Sequence, residues 1–276
     1  MKSSMPVTLP SLKMLVIDIH YVEVSSINVL LCGCPNIEIL DLSFSASLDK
    51  FCIPSSLKRL KIVIENDDGA YLEINAPDLE YLNVTQITFG EVFSIYNLHN
   101  VVEARVDVFP QVFGSIIPLH NLLGALSGTK HLVLSPSTIK WLLGEPRDLL
   151  FQEFRYLLHL ELILPWFNSN SLLSLLQKCP MLRVLVIQNN EVRSPILGWP
   201  PQPSVPNCLV SHLTFIRFNG FQGDEVSFLD YLLRNGLVLE TVIVAGISLD
   251  LKMKYHILKL LSDVPRASGK CQLKFD

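Results

Sequence analysis

A chain of 276 residues that is 49% hydrophobic and only 17% charged has the length and the apolar content to bury a large core, which excludes a disordered or linker-like sequence. Its 22 basic and 26 acidic residues leave a formal charge of −4, which argues against a broad electrostatic footprint for nucleic acid. Six cysteines at irregular spacing are too few for a disulfide scaffold, so reduced thiols in a reducing compartment are expected.

The opening Met1-Lys2-Ser3-Ser4-Met5-Pro6 lacks the apolar region of a signal peptide, and no run of 18 apolar residues follows. A soluble protein of the cytoplasm or nucleus, with no membrane partner, is the expectation.

Along the chain one sextet recurs: apolar-x-x-apolar-x-apolar. It opens at Leu12, Ile37, Leu57 and Leu79, more loosely at Val101 and Thr129, and again at Leu157, Leu182, Leu213 and Leu239. Nine steps cover the 227 residues from 12 to 239, a mean of about 25, inside the 20–29 window of leucine-rich repeats. The alternating tail of each sextet predicts a short strand with one inward face, and the leading residue packs beneath it. No single unit closes a core. Stacked in register, ten such strands form a parallel sheet at roughly 4.8 Å per neighbour, on the order of 45 Å in all. The predicted fold class is α/β: a leucine-rich-repeat solenoid, a curved parallel sheet with outer helices and turns.

The connections come in two lengths. Steps of 20 and 22 residues around Pro54-Ser55-Ser56 and Ala76-Pro77-Asp78 leave room for turns or a short extended run. Longer steps carry an apolar doublet six or seven residues before the next sextet: Leu30-Leu31, Leu122-Leu123, Leu175-Leu176 and Leu232-Leu233. These doublets predict outer helices, ended by Cys34-Pro35, Gly128, Cys179-Pro180 and Gly236. Between Pro195 and Asn207, five prolines in thirteen residues forbid a helix. A domain boundary is placed there, dividing a repeat domain, 1–194, from a C-terminal domain, 195–276, joined by a strap in which Trp199 and Val205 lie against the preceding coil.

These residues resemble the plant F-box proteins with leucine-rich repeats and a C-terminal FBD domain. Leu30-Leu31-Cys32-Gly33-Cys34-Pro35-Asn36-Ile37 and Asn75-Ala76-Pro77-Asp78-Leu79 look like that family's repeat units. Trp199, Val205-Pro206, Cys208-Leu209, Ser211, Gly220, Gly223, Glu225, Tyr231-Leu232-Leu233 and Asn235 follow the order of an FBD segment, as does the ending Pro265-Arg266-x-Ser268-x-x-Cys271-Gln272-Leu273-x-Phe275-Asp276. The resemblance implies the target-recognition part of a subunit of an SCF-type ubiquitin ligase, a protein-interaction module without enzymatic activity. The family's F-box carries a tryptophan, whereas the first tryptophan here is Trp141 and the chain opens inside a repeat at Leu9-Pro10-Ser11-Leu12. An F-box is therefore expected to be absent, and with it binding of a Skp-type adaptor. A truncated, F-box-less binder or competitor without a ligase role is the alternative reading.

Strand positions between the inward residues face away from the core. Arg59, Lys61, Tyr81, Asn83, Glu103, Arg105, His131, His159 and Glu161 thus form a polar band, with apolar shoulders at Met14, Val16 and Ile39 and at Val184, Val186 and Ile243. The band reads either as a docking surface for a target protein or as cross-strand ladders that only stabilise the sheet. No catalytic set converges. Seven histidines are scattered singly, Gly124-Ala125-Leu126-Ser127-Gly128 has its serine one place too late for a nucleophile elbow, and no phosphate-binding loop occurs. Cys32 and Cys34 lack a second pair at zinc spacing, so neither metal nor cofactor is expected.

Overall fold

The computed structural model describes residues 8–20, 23–45, 50–65, 71–89, 94–110, 116–144, 152–189, 204–221, 225–246 and 250–276. The chain forms two compact units, 1–129 and 130–276.

In the first unit the described elements run β1 (Met14–Ile19), α1 (Val24–Cys32), β2 (Ile39–Ser45), β3 (Lys50–Cys52), β4 (Arg59–Glu65), β5 (Tyr71–Asn75), β6 (Tyr81–Phe89), β7 (Ser94–Tyr96), β8 (Glu103–Pro110) and α2 (Ile117–Ala125). Strands β1, β2, β4, β6 and β8 lie side by side in that order, all parallel. Each begins two residues after the leading residue of a sextet. The leading residues Ile37, Leu57, Leu79 and Val101 are buried, as are the inward pairs that follow, such as Leu60 with Ile62 and Leu82 with Val84. Burying each such side chain contributes roughly 1.5–3 kcal/mol, which one isolated strand could not collect.

Register is fixed by a repeated backbone device. The Lys13 carbonyl accepts from the amides of both Glu38 and Ile39, the Glu38 carbonyl from Lys58 and Arg59, and the Lys58 carbonyl from Glu80 and Tyr81. Because side chains alternate with period two, this locks which ones face the core. Among the described residues of the 20- and 22-residue steps no helix occurs. Instead β3, β5 and β7 make a second, three-stranded parallel sheet. A three- to five-residue strand crosses the back of a repeat in fewer residues than a helix, since it advances about 3.3 Å per residue against 1.5 Å.

In the second unit the described elements are β9 (His131–Leu134), α3 (Pro136–Gly144), β10 (His159–Leu164), α4 (Ser169–Gln177), β11 (Val184–Asn189), α5 (Asn207–Ser211), β12 (Phe215–Asn219), α6 (Val226–Asn235), β13 (Thr241–Ala245), α7 (Leu251–Ser262) and β14 (Gln272–Phe275). The six strands are parallel and adjacent in chain order. The same carbonyl device recurs, with Leu158 and His159 both donating to Lys130, and Thr214 and Phe215 to Arg183. The α/β class with parallel strands is therefore the one the repeat pattern predicts. All four leucine doublets fall in helices, at the C-terminal ends of α1, α2, α4 and α6.

In this unit three of the described helices and one strand had no signal in the sextets. α3 follows β9 directly, α5 starts immediately after Pro206, and α7 and β14 close the chain. In the register of β13 with β14, Lys270 takes the place that Leu239 holds in the preceding repeat, so the leading apolar residue is missing. The proposed boundary near 194 and the strap residue Trp199 lie outside the described residues, and Val205 is 37% exposed. Strands β11 and β12, on either side of that segment, pair in parallel. Behind them Phe167 meets Phe218 and Phe228 at 5.8 and 5.6 Å between ring centroids, and Phe218 meets Phe221 at 5.3 Å. These tilted and edge-on contacts tie the turn before α4 to β12 and α6.

Candidate partner-binding faces

In the first unit, pairing carries the outward strand residues into rows. One row is Met14, Ile39, Arg59, Tyr81 and Glu103; the next is Val16, Asp41, Lys61, Asn83 and Arg105. The six band residues of this unit are thus brought onto one face. The Arg59 guanidinium carbon lies over the Tyr81 ring, 4.2 Å from its centroid, a cation–π contact between neighbouring strands. Lys61 Nζ donates to Asp41 Oδ2 at 2.9 Å. Asn83 is almost buried, and its Oδ1 accepts from Thr85 Oγ1 at 2.6 Å, so it contributes little open surface. Glu103 and Arg105 are exposed. The shoulder is apolar and open: Met14 is 56% exposed and Val16 59%.

A left-handed residue, Gln86 with φ 59°, makes a bulge opposite β8 between Thr85 and Ile87. The extra residue keeps Ile87 buried against Val108, so the inward pattern survives the irregularity.

In the coil entering these strands, Glu38 accepts from Lys13 Nζ at 2.7 Å and from Lys58 Nζ at 2.9 Å. The two ammonium groups hold its carboxyl down at about 2, from an ordinary 4.5. Lys58 is correspondingly raised, chiefly by its hydrogen bond to Glu38.

The second unit carries the other three band residues. His131 and His159 pair directly across β9 and β10, and their rings stack with centroids 5.6 Å apart and 10° between planes. Glu161 Oε1 accepts from Gln188 Nε2 at 2.5 Å. Val184, Val186 and Ile243 are half-buried on the same face. Arg217 stands in the Glu161–Val186 row, donates from Nε to Asn219 Oδ1 at 2.9 Å and lies 3.3 Å from Asp276. Sequence reasoning stopped short of Gln188 and Arg217. Extending the alternation one residue beyond each sextet, and carrying it into β12, finds both.

Among the described residues no group of three or more His, Cys, Asp and Glu side chains could hold a metal ion. A pocket under β9 and β10 is lined by apolar residues including Leu134, Leu162, Trp166 and Leu175, with Asn168 and Ser171 as polar lining. Asn168 Oδ1 is engaged by the Ser171 amide at 3.1 Å as the N-cap of α4. Cys208 Sγ contacts the Leu176 carbonyl at 3.6 Å, and burial pushes the Cys208 thiol up to about 12 and raises Cys179 as well. Such thiols are packing groups and not nucleophiles. Among the described residues no helix is long and apolar enough to cross a membrane.

Residues 200–244 match the FBD family. Over nearly its whole length the chain is similar to F-box/FBD/LRR-repeat proteins of Arabidopsis thaliana. One is 32% identical, covering 98% of this chain and 65% of the relative; another is 29% identical, covering 96% and 64%; a third is 31% identical, covering 99% and 62%. The chain thus spans a little under two thirds of the length of these curated relatives. Repeat period, parallel sheet and FBD segment agree with these relatives: over nearly its whole length the chain is similar to plant F-box/FBD/LRR-repeat proteins.

Proposed function

We propose that this chain is a non-catalytic protein-interaction module, the target-recognition part of an F-box subunit of an SCF-type ubiquitin ligase, acting in the cytosol or nucleus. The observation that carries this reading is the outward face of the first unit. There Arg59, Tyr81 and Glu103 stand in one row beside Lys61, Asn83 and Arg105, next to the exposed Met14 and Val16. Interfaces with proteins are enriched in aromatic and arginine anchors, and this face offers Tyr81, Arg59 and Arg105 beside the apolar shoulder of Met14 and Val16. The His131–His159 stack and Glu161 form a corresponding face in the second unit. We take 1–194 as the repeat domain and 195–276 as the FBD domain of this module.

The test places a photo-crosslinking residue at Lys61 and identifies the plant proteins it captures. Capture should be lost in a variant combining Arg59→Glu, Tyr81→Ala and Arg105→Glu with an unchanged melting curve. The captured protein should also accumulate when the gene is disrupted. Capture indifferent to the triple variant would remove the face from consideration. A target whose abundance is unaffected by gene disruption would leave a binder without a ligase role.

A further inference from the structure

Helix α7 is not used by the reading above. It lies beyond the FBD match at 200–244 and belongs to the outer helical layer, packed against α6. Its start is capped by Asp250, whose Oδ1 accepts from the Met253 amide at 2.7 Å. Ile257 and Leu261, one helical turn apart, are buried and fasten it to the unit. The rest of its apolar content is in water: Met253 and Leu260, each 44% exposed, lie on the opposite flank, while Leu251 is 87% exposed, Tyr255 70% and Leu258 37%. At 100° per residue these three, spaced i, i+4 and i+7, share a stripe about 60° wide on one flank of the helix.

Charge on this helix has a single sign. Lys252, Lys254 and Lys259 lie within it, and no acidic residue occurs between Asp250 and Asp263. Lys252 and Lys259, seven apart, share the exposed side adjoining the stripe. Among the described residues none of the three lysines enters an ion pair. A cationic, apolar helix on a chain of net charge −4 is a local reversal of the overall field.

We propose that the α7 stripe of Leu251, Tyr255 and Leu258, bordered by Lys252 and Lys259, docks an acidic amphipathic helix of a partner protein. The stripe width matches the i, i+4, i+7 anchors by which one helix meets another, and the lysines supply the complement to flanking carboxylates. An anionic bilayer fits less well. Ile257 and Leu261 are spent on the core, the remaining stripe is narrow, and the net negative chain is repelled by such a surface.

The probe is a fluorescent synthetic helix of about 18 residues with leucines at i, i+4 and i+7 and glutamates on the flanks, compared with the same peptide carrying glutamine for every glutamate. The intact chain should bind the glutamate peptide at least ~10-fold more tightly, and raising salt should remove the difference. Leu251→Ser with Tyr255→Ser, and separately Lys252→Glu with Lys259→Glu, should each weaken binding by ~10-fold or more at unchanged melting temperature, since all four positions are exposed. Equal binding of the two peptides, no binding of either, or indifference to both variants overturns the proposal. So does lysine-dependent flotation with vesicles containing about 30% phosphatidylserine that the peptide fails to compete. A dimer abolished by Leu251→Ser would assign the stripe to a second copy, and also overturns it.

Discussion

The Asn189 side-chain amide donates to Glu225 Oε1 at 2.8 Å, and both residues are almost completely withdrawn from water. Asn189 ends β11, and Glu225 directly precedes α6, so a buried hydrogen bond joins the two sides of the proline-rich segment. Asn189→Ala deletes the donor of this buried hydrogen bond. The expected loss is about 1–3 kcal/mol. Trp141, Trp166 and Trp199 all belong to the second unit, so the urea midpoint followed by tryptophan fluorescence should fall.

Gly220 sits against the same strand end. Its φ of +73° is left-handed, and a Cβ there would stand 1.9 Å from the Asn189 carbonyl oxygen. Gly220→Ala is therefore strained twice, by backbone conformation and by collision with main chain that cannot swing aside. A loss of at least about 2 kcal/mol is expected in the same fluorescence measurement. A midpoint equal to that of the parent would show that β11 and β12 can separate at no cost.

Thr129 fills a leading position that leucine holds in most other repeats. It is buried, and its Oγ1 has no hydrogen-bond partner among the described residues. Thr129→Val keeps the shape and removes the unmet hydroxyl, so stability should rise by about 1 kcal/mol, seen as a higher urea midpoint in far-UV circular dichroism.

Glu38 gives the chain an acid-sensitive contact. Its folded-state value, about 2, lies below its ordinary 4.5 because of Lys13 and Lys58. A depressed carboxylate stabilises the fold fully above the ordinary value and loses that contribution as pH falls from about 4.5 toward 2. The carboxylate is solvent-exposed, so high salt should bring the midpoint back toward 4.5. NMR titration of the Glu38 side-chain carbonyl at low and high salt checks both, and Glu38→Gln should remove this part of the acid dependence.

The cysteines should divide by burial. Cys32 is exposed, while Cys179 and Cys208 are buried and their thiols raised by desolvation. Iodoacetamide at mildly alkaline pH should modify Cys32 in the native protein and reach Cys179 and Cys208 only after denaturant is added, as mass spectrometry of the tryptic peptides would show.

The amino-acid order alone determined the period, and with it ten of the strands, the buried leading residues and the four helices that carry leucine doublets. It could do so because each repeat buries the same few positions, and an alternation of two followed by a gap has only one inward set. It also placed Arg59 beside Tyr81 and His131 beside His159 in neighbouring repeats. The stacking of the histidine rings and the cation–π contact of Arg59 with Tyr81 were not legible, since they depend on side-chain rotamers chosen between strands.

Tertiary structure decided the rest. Segments β3, β5 and β7 are too short to show a period, and they become a sheet only because three of them pair. β14 carries Lys270 in the leading place and is recognised by its pairing with β13 instead. Asn189 and Glu225 are 36 residues apart. Nothing local distinguishes either from a surface residue, and only the packing that removes both from water turns them into one interaction.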